Sequence, residues 1–295
     1  MDAILDQIIL GPIAQCVPGK LVVLPVVEND NGCVAGFAAQ AFKSPVAIPP
    51  RLAHIVEHNV DAAARQMREL PYYNSFFQCT HPPAIELSEL LSDLSPGNFN
   101  HVFFSSSGSE ANDTQIRLIR RYWDLLGQPR RMTIIARKNA YHGSTLGGAS
   151  LGGMSAMHEQ MVLPVPDIVH IEQPYHFGLG GDLSPAEFGL RQARLLEEKI
   201  EELGADTVAA FIAEPVQGAG GVIIPPETYW PEIQRICDEH GILLVADEVI
   251  CGFGRVGDAF GATRFGITPD LMTIAKGLTS GTVPMGAVLA KKEIY

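Results

Sequence analysis

DTVAAFIAEPVQGAGGVIIPPETYWPEIQRICDEHGILLVAD, residues 206–247, decides the fold. It opens on an apolar run, DTVAAFIAE (206–214), and breaks at Pro215 and a glycine-rich turn. A polar stretch with helical spacing follows over about 227–240, and then a second apolar run, GILLVAD (241–247). Short runs of Val, Ile, Leu and Ala that alternate with amphipathic helices are βαβ units. Strands apolar on both faces belong to a parallel sheet covered by helices on both sides. The pattern continues outward. HVFFSS (101–106), RMTIIAR (131–137) and DIVHI (167–171) precede it as strands, and DLMTIAK (270–276) and PMGAVLA (284–290) follow. Helical spacing covers DAAARQMREL (61–70), AIELSELLSDL (84–94), a stretch from Glu110 to about Leu126, and about 185–203. The expectation is an α/β fold with a mixed, mostly parallel sheet flanked by helices. KLVVLPVV (20–27) reads as a strand piece, but residues 1–59 lack clean alternation and form an atypical N-terminal segment before a domain over 60–295.

Composition narrows the function. The 295 residues are 46% hydrophobic and 18% charged, which excludes disorder, coiled coil and collagen. Lys plus Arg number 21 against 33 Asp plus Glu, a formal charge of −12, so no electrostatic footprint for nucleic acid or an anionic membrane exists. The expected partner is a small molecule or another protein. Cys16, Cys33, Cys79, Cys237 and Cys251 are widely spaced and form no CxxC pair, which favours a reducing compartment over a disulfide framework. The acidic opening MDAILDQIIL makes a poor signal peptide, and no apolar run approaches the ~18 residues of a membrane span. A soluble, cytoplasmic protein is expected. His142, His158, His170 and His176 form no metal constellation, so no metal is expected.

Ligands of open α/β sheets bind outside the carboxyl ends of the strands. Four strand ends here carry useful groups: the turn SSSGSEAN (105–112), Glu214, Asp247 and Lys276. A single acid at a strand end is commonly a cap, and a single lysine is commonly solvated; four such groups at one sheet edge make a cleft. A helix N-terminus suits a phosphate. A lysine sheltered from water can form a Schiff base, and a carboxylate facing a ring nitrogen keeps it protonated. Together these describe pyridoxal phosphate, whose pyridinium is an electron sink. The nucleotide alternative fails, because neither GxGxxG nor GxxxxGK[ST] stands where it would be needed.

At these residues the sequence resembles the class III pyridoxal-phosphate aminotransferases of fold type I. The likeness runs from about Asp61 to Tyr295 through SSSGSEAND (105–113), NAYHGST (139–145), FIAEPVQGAGG (211–221), LLVADEVICGFGR (243–255) and MTIAKGLTSG (272–281). The resemblance implies that Gly108 and Ser109 hold the phosphate of pyridoxal 5'-phosphate. It implies that Tyr141 stacks on its ring with His142 beside it, that Glu214 supports Asp247, and that Asp247 faces the ring nitrogen. Val249 packs on the other ring face, and Lys276 carries the cofactor; Lys276 and Asp247 are the catalytic pair. Ala219 and Ile250, where many glutamate-using relatives carry an acid and an amide, resemble the amine–pyruvate (ω-transaminase) branch, as does HEQMVLPVPDIVHIEQPYHFGLGGD (158–182). The implied reaction moves an amino group from a primary amine, diamine or ω-amino acid to pyruvate, in a homodimer. An aminomutase or racemase on the same fold, and a non-catalytic cofactor-binding or dimerising protein, are the rival readings. The resemblance also puts the family's small C-terminal domain beyond Tyr295. These residues by themselves are therefore expected to hold the cofactor weakly and turn over slowly.

Overall fold

The computed structural model describes residues 50–74, 78–160 and 162–295, with side chains from His58 onward. The strand piece at 20–27 and most of the 1–59 segment lie outside the described residues. The described residues divide into two compact units, one up to His81 and one over Pro82–Tyr295. In the first, helix α1 (Pro50–Glu69) runs unbroken across residues 59 and 60, the domain boundary expected from the sequence.

The second unit holds the sheet. Its elements are α2 (Pro82–Leu94), β1 (Phe99–Ser105), α3 (Gly108–Leu125), β2 (Thr133–Arg137), α4 (Leu146–Leu151), α5 (Ser155–His158), β3 (Ile168–Ile171) and α6 (His176–Leu179). Then come α7 (Pro185–Leu203), β4 (Val208–Ala213), α8 (Tyr229–His240), β5 (Leu243–Asp247), α9 (Gly261–Phe265), β6 (Leu271–Ala275), a 3-10 turn (Lys276–Thr279) and β7 (Gly286–Lys291). Seven strands in the order β1-β7-β6-β5-β4-β2-β3 make one sheet in which only β7 runs against the others. All seven strands expected from the sequence are present, and the sheet is mixed and mostly parallel.

Alternation along most of the strands sorts the core into two layers. Ile135, Phe211, Leu244, Met272 and Ile274 point to one face, where Leu196 and Ile200 of α7 and Trp230 and Ile233 of α8 cover them. Ile134, Ile212, Val245 and Leu271 point to the other, under Ala111, Ile119 and Trp123 of α3. Each fully buried apolar side chain contributes roughly 1.5–3 kcal/mol, so both layers hold the helices onto the sheet.

Local signals set the helix ends. Ser184 and Glu187 form a reciprocal capping box at the start of α7, and Gly241 ends α8 at φ 57°. Ser107 caps α3 by accepting from the Glu110 N–H. Behind that cap lies Gly286 of β7, where a Cβ would stand 2.5 Å from the Ser107 carbonyl. The strand's missing side chain therefore sets how closely the turn after β1 can approach the sheet. Gly286→Ala is expected to destabilise the fold by about 1–3 kcal/mol through overpacking, measured by denaturant unfolding; unchanged stability would mean that the turn shifts freely.

Candidate active site

Because β1, β2, β4, β5 and β6 run the same way, their carboxyl ends reach one edge. There they deliver, in order, the Ser106–Ser109 turn, the loop after Arg137, Glu214, Asp247 and Lys276. These groups line a pocket of about 370 Å³. Gly108, Ser109, Tyr141, His142, Glu214, Asp247, Val249 and Lys276 all line it, so residues up to 168 positions apart (276 − 108) meet in one cleft.

The floor is dry. Asp247 is 3% exposed and its carboxylate is held from three sides. Oδ2 accepts from Asn112 Nδ2 (2.9 Å) and pairs with His142 Nδ1 (2.7 Å), while Oδ1 accepts from the Val249 N–H (3.1 Å). With the carboxylate ionised, Nδ1 of His142 is the donor. The other imidazole nitrogen, Nε2, is buried without a hydrogen-bond partner.

The start of α3 forms another wall of the pocket. N–H groups of a first helical turn have no helical partner and carry a partial positive charge. Gly108 keeps that turn close to the opposite wall: a Cβ there would meet Val249 Cγ2 at 2.8 Å. Gly143, at φ 132°, lies against Ser109, whose backbone Cα a Cβ would approach to 2.8 Å. Ser109 Oγ accepts from the Ser144 N–H (3.2 Å), so turn and loop are tied together.

Glu214 lines the same pocket as Asp247. Its oxygens accept from the N–H groups of Tyr141 (3.1 Å) and Gly218 (2.8 Å). It braces the two loops that carry Tyr141 and Gly218, and burial pushes its carboxyl above the ordinary value, with His142 pulling it back. Lys276, at φ 43°, lines the pocket and is exposed. Ile250 lines the pocket and packs over Gly218, while Ala219 is exposed and outside the lining. Among the described residues no cluster of His, Cys, Asp and Glu could hold a metal ion, and no helix is long and apolar enough to cross a membrane.

Several polar side chains that the motifs gave no role turn out to build the site. Asn112 binds Asp247 and the His142 carbonyl (2.7 Å). Arg137, fully buried beside the Tyr229 and Trp230 rings, donates to the Glu214 carbonyl. Glu248, also fully buried, accepts from the N–H groups of Ala262 (2.6 Å) and Gly261 (2.9 Å) and so anchors α9 behind the pocket. Arg137, a charged residue ending the apolar run of β2, was a signal of this in the sequence.

The comparisons with known proteins place this arrangement. Residues 50–295 match the family model "Aminotransferase class-III". The chain belongs to the class-III aminotransferases. It is 60% identical over 238 residues to the putrescine–pyruvate aminotransferase of Pseudomonas aeruginosa, covering 81% of this chain and 52% of that protein. It is 48% identical to a vanillin aminotransferase of Capsicum frutescens, covering 80% of this chain and 52% of that one. Among solved structures it is similar to the ω-transaminase of Pseudomonas jessenii in complex with PMP: TM-score 0.79, 43% identity, 81% of this chain and 53% of that chain. The chain thus spans about half the length of the curated relatives it matches. Pyridoxal 5'-phosphate is the family's cofactor.

Burial pushes the Glu248 carboxyl from 4.5 up to about 7 against the pull of its two N–H donors. A raised folded value means the native state holds the proton longer than the unfolded chain. The stability this gives is complete below about pH 4.5 and is lost as pH rises toward 7. Glu248→Gln is expected to remove that slope, on the order of 3 kcal/mol across the window. Thermal unfolding of wild type and variant from pH 4.5 to 7.5 checks it, and parallel curves would show that Glu248 stays ionised.

Proposed function

We propose that the chain is the cofactor-binding part of a transaminase that moves the amino group of a primary amine, diamine or ω-amino acid to pyruvate. The observation that carries this reading is the convergence of a helix-start turn, a buried three-donor carboxylate and a lysine on one pocket of about 370 Å³. The putrescine–pyruvate aminotransferase at 60% identity supports the choice of donor and acceptor. A homodimer in the cytoplasm fits the family likeness and the acidic composition.

The residues present fit pyridoxal phosphate. Gly108 and Ser109 would hold its phosphate on the N–H groups of α3, and the close approaches at Gly108 and Gly143 keep that cradle free of side chains. Tyr141 and Val249 would flank the ring, and Asp247 would face its nitrogen. When bound, the cofactor supplies a pyridinium that delocalises the electron pair left on the donor carbon. Asp247 keeps a fixed negative charge at the floor, and His142 and Asn112 keep it oriented. Nζ of Lys276 would be the group that anchors the cofactor and, when free of it, the base that takes and returns the proton of the donor's amine-bearing carbon. Ile250 gives the donor side an apolar surface, which favours an unsubstituted amine over a second carboxylate.

Borohydride trapping of the loaded protein followed by peptide mapping is expected to place the pyridoxyl mass on Lys276; a label on Lys138 or Lys292 would sink the assignment. Asp247→Asn is expected to slow the amine half-reaction by about 100-fold or more while cofactor still binds, since a preorganised charge is lost. In single-turnover spectra putrescine is expected to outpace glutamate as donor, and the reverse order would reject the amine branch.

A further inference from the structure

Behind Asp247 lies a chain of fully buried polar side chains whose far members, Gln115 and Thr273, lie outside the pocket lining. Thr273 is the register partner of Asp247 across β5 and β6, so the two side chains emerge on the same face, above the apolar row of Val245 and Leu271. Helix α3 covers that face with Ala111, Gln115, Ile119 and Trp123, an i, i+4 stripe that is apolar except at Gln115. Gln115 Nε2 donates to Thr273 Oγ1, Thr273 Oγ1 donates to Asn112 Oδ1 (2.6 Å), and Asn112 Nδ2 donates to Asp247.

The direction of this chain follows from its acceptors. The Asn112 amide faces both the Asp247 carboxylate and the His142 carbonyl, and neither can donate, so Nδ2 must turn toward them. Oδ1 then needs a donor, which the Thr273 hydroxyl supplies. That hydroxyl has spent its proton and can only accept, which fixes the Gln115 amide in turn. Reversing one member breaks the bonds of its neighbours. Burying four polar groups in this way has no packing advantage over an apolar core, since replacing such partners by apolar groups of the same shape can be nearly neutral.

We propose that Thr273 and Gln115 are positioning residues for Asp247, acting through Asn112: they lock the amide so that Asp247 is held in one rotamer with its remaining lone pairs toward the pocket. The role rests on the pocket being a pyridoxal-phosphate site. A carboxylate held this way meets a ring nitrogen in one geometry. Loosened, it swings among several, and misplacements of about 1 Å cost up to ~100-fold in rate.

The test loads the chain with pyridoxal phosphate labelled with 15N at the ring nitrogen and compares wild type, Thr273→Val, Thr273→Ser and Gln115→Met. Thr273→Val keeps the shape and removes the hydroxyl; Thr273→Ser restores it. The ring 15N shift of Thr273→Val is expected to move toward the unprotonated position and that of Thr273→Ser to stay with wild type. The limiting rate of the amine half-reaction is expected to fall about 10–100-fold in Thr273→Val with half-saturation changed far less. Gln115→Met, which leaves Thr273 but removes its donor, is expected to move both readouts the same way by less, and it decides the matter if Thr273→Val fails to fold. A wild-type ring shift and rate in every folded variant, with only a lowered melting temperature, would overturn the proposal and leave the chain structural. A wild-type chain that takes up no cofactor would overturn the reading of the pocket itself, and the relay's role with it.

Discussion

The buried carboxylate of Asp247 is the constraint on which the site is built. An ionised group taken out of water costs several kcal/mol unless donors replace the lost hydration. Here the donors come from α3, from the loop after β2 and from the turn after β5, so all three must lie together. Asn112 sits one helical turn after Gly108. Docking Asn112 on Asp247 therefore also places the turn at the start of α3 beside the pocket. Ser109 and Asp113, one position further round, are tied to Ser144, Thr145 and Gly148, and these ties stitch the loop that carries Tyr141 and His142 to the same helix. One satisfied charge thus orders the start of α3, the loop and the sheet edge at once.

The sheet was legible because its signals are local. Each strand is a short apolar run, each is bounded by a turn or a capped helix, and the buried-on-both-faces pattern implies parallel pairing. The polar group at each strand end was legible for the same reason: it interrupts an apolar run. What binds those groups to one another was not. Asn112 meets Asp247 across 135 positions and Gln115 meets Thr273 across 158, and no spacing rule links residues so far apart. Glu214 shows the same limit from the other side. Its place at a strand end was plain, yet its partners are backbone N–H groups of two loops whose paths depend on the finished fold. The start of α1 was missed because its first turns, at Pro50 onward, carry a mixed sequence before the clear amphipathic stretch.

The two ends of the pocket stand in different media. At the floor Asp247 is 3% exposed, whereas Lys276 is an exposed residue. At a given separation, an interaction in surroundings of effective dielectric about 20 is roughly four times stronger than in bulk water. The field at the floor is therefore built into the fold and holds before any ligand arrives. The exposed side acquires comparable strength only when water leaves it, and the bound molecule is one of the things that can displace that water. Orientation of the carboxylate at the floor is thus a property of the chain's own contacts.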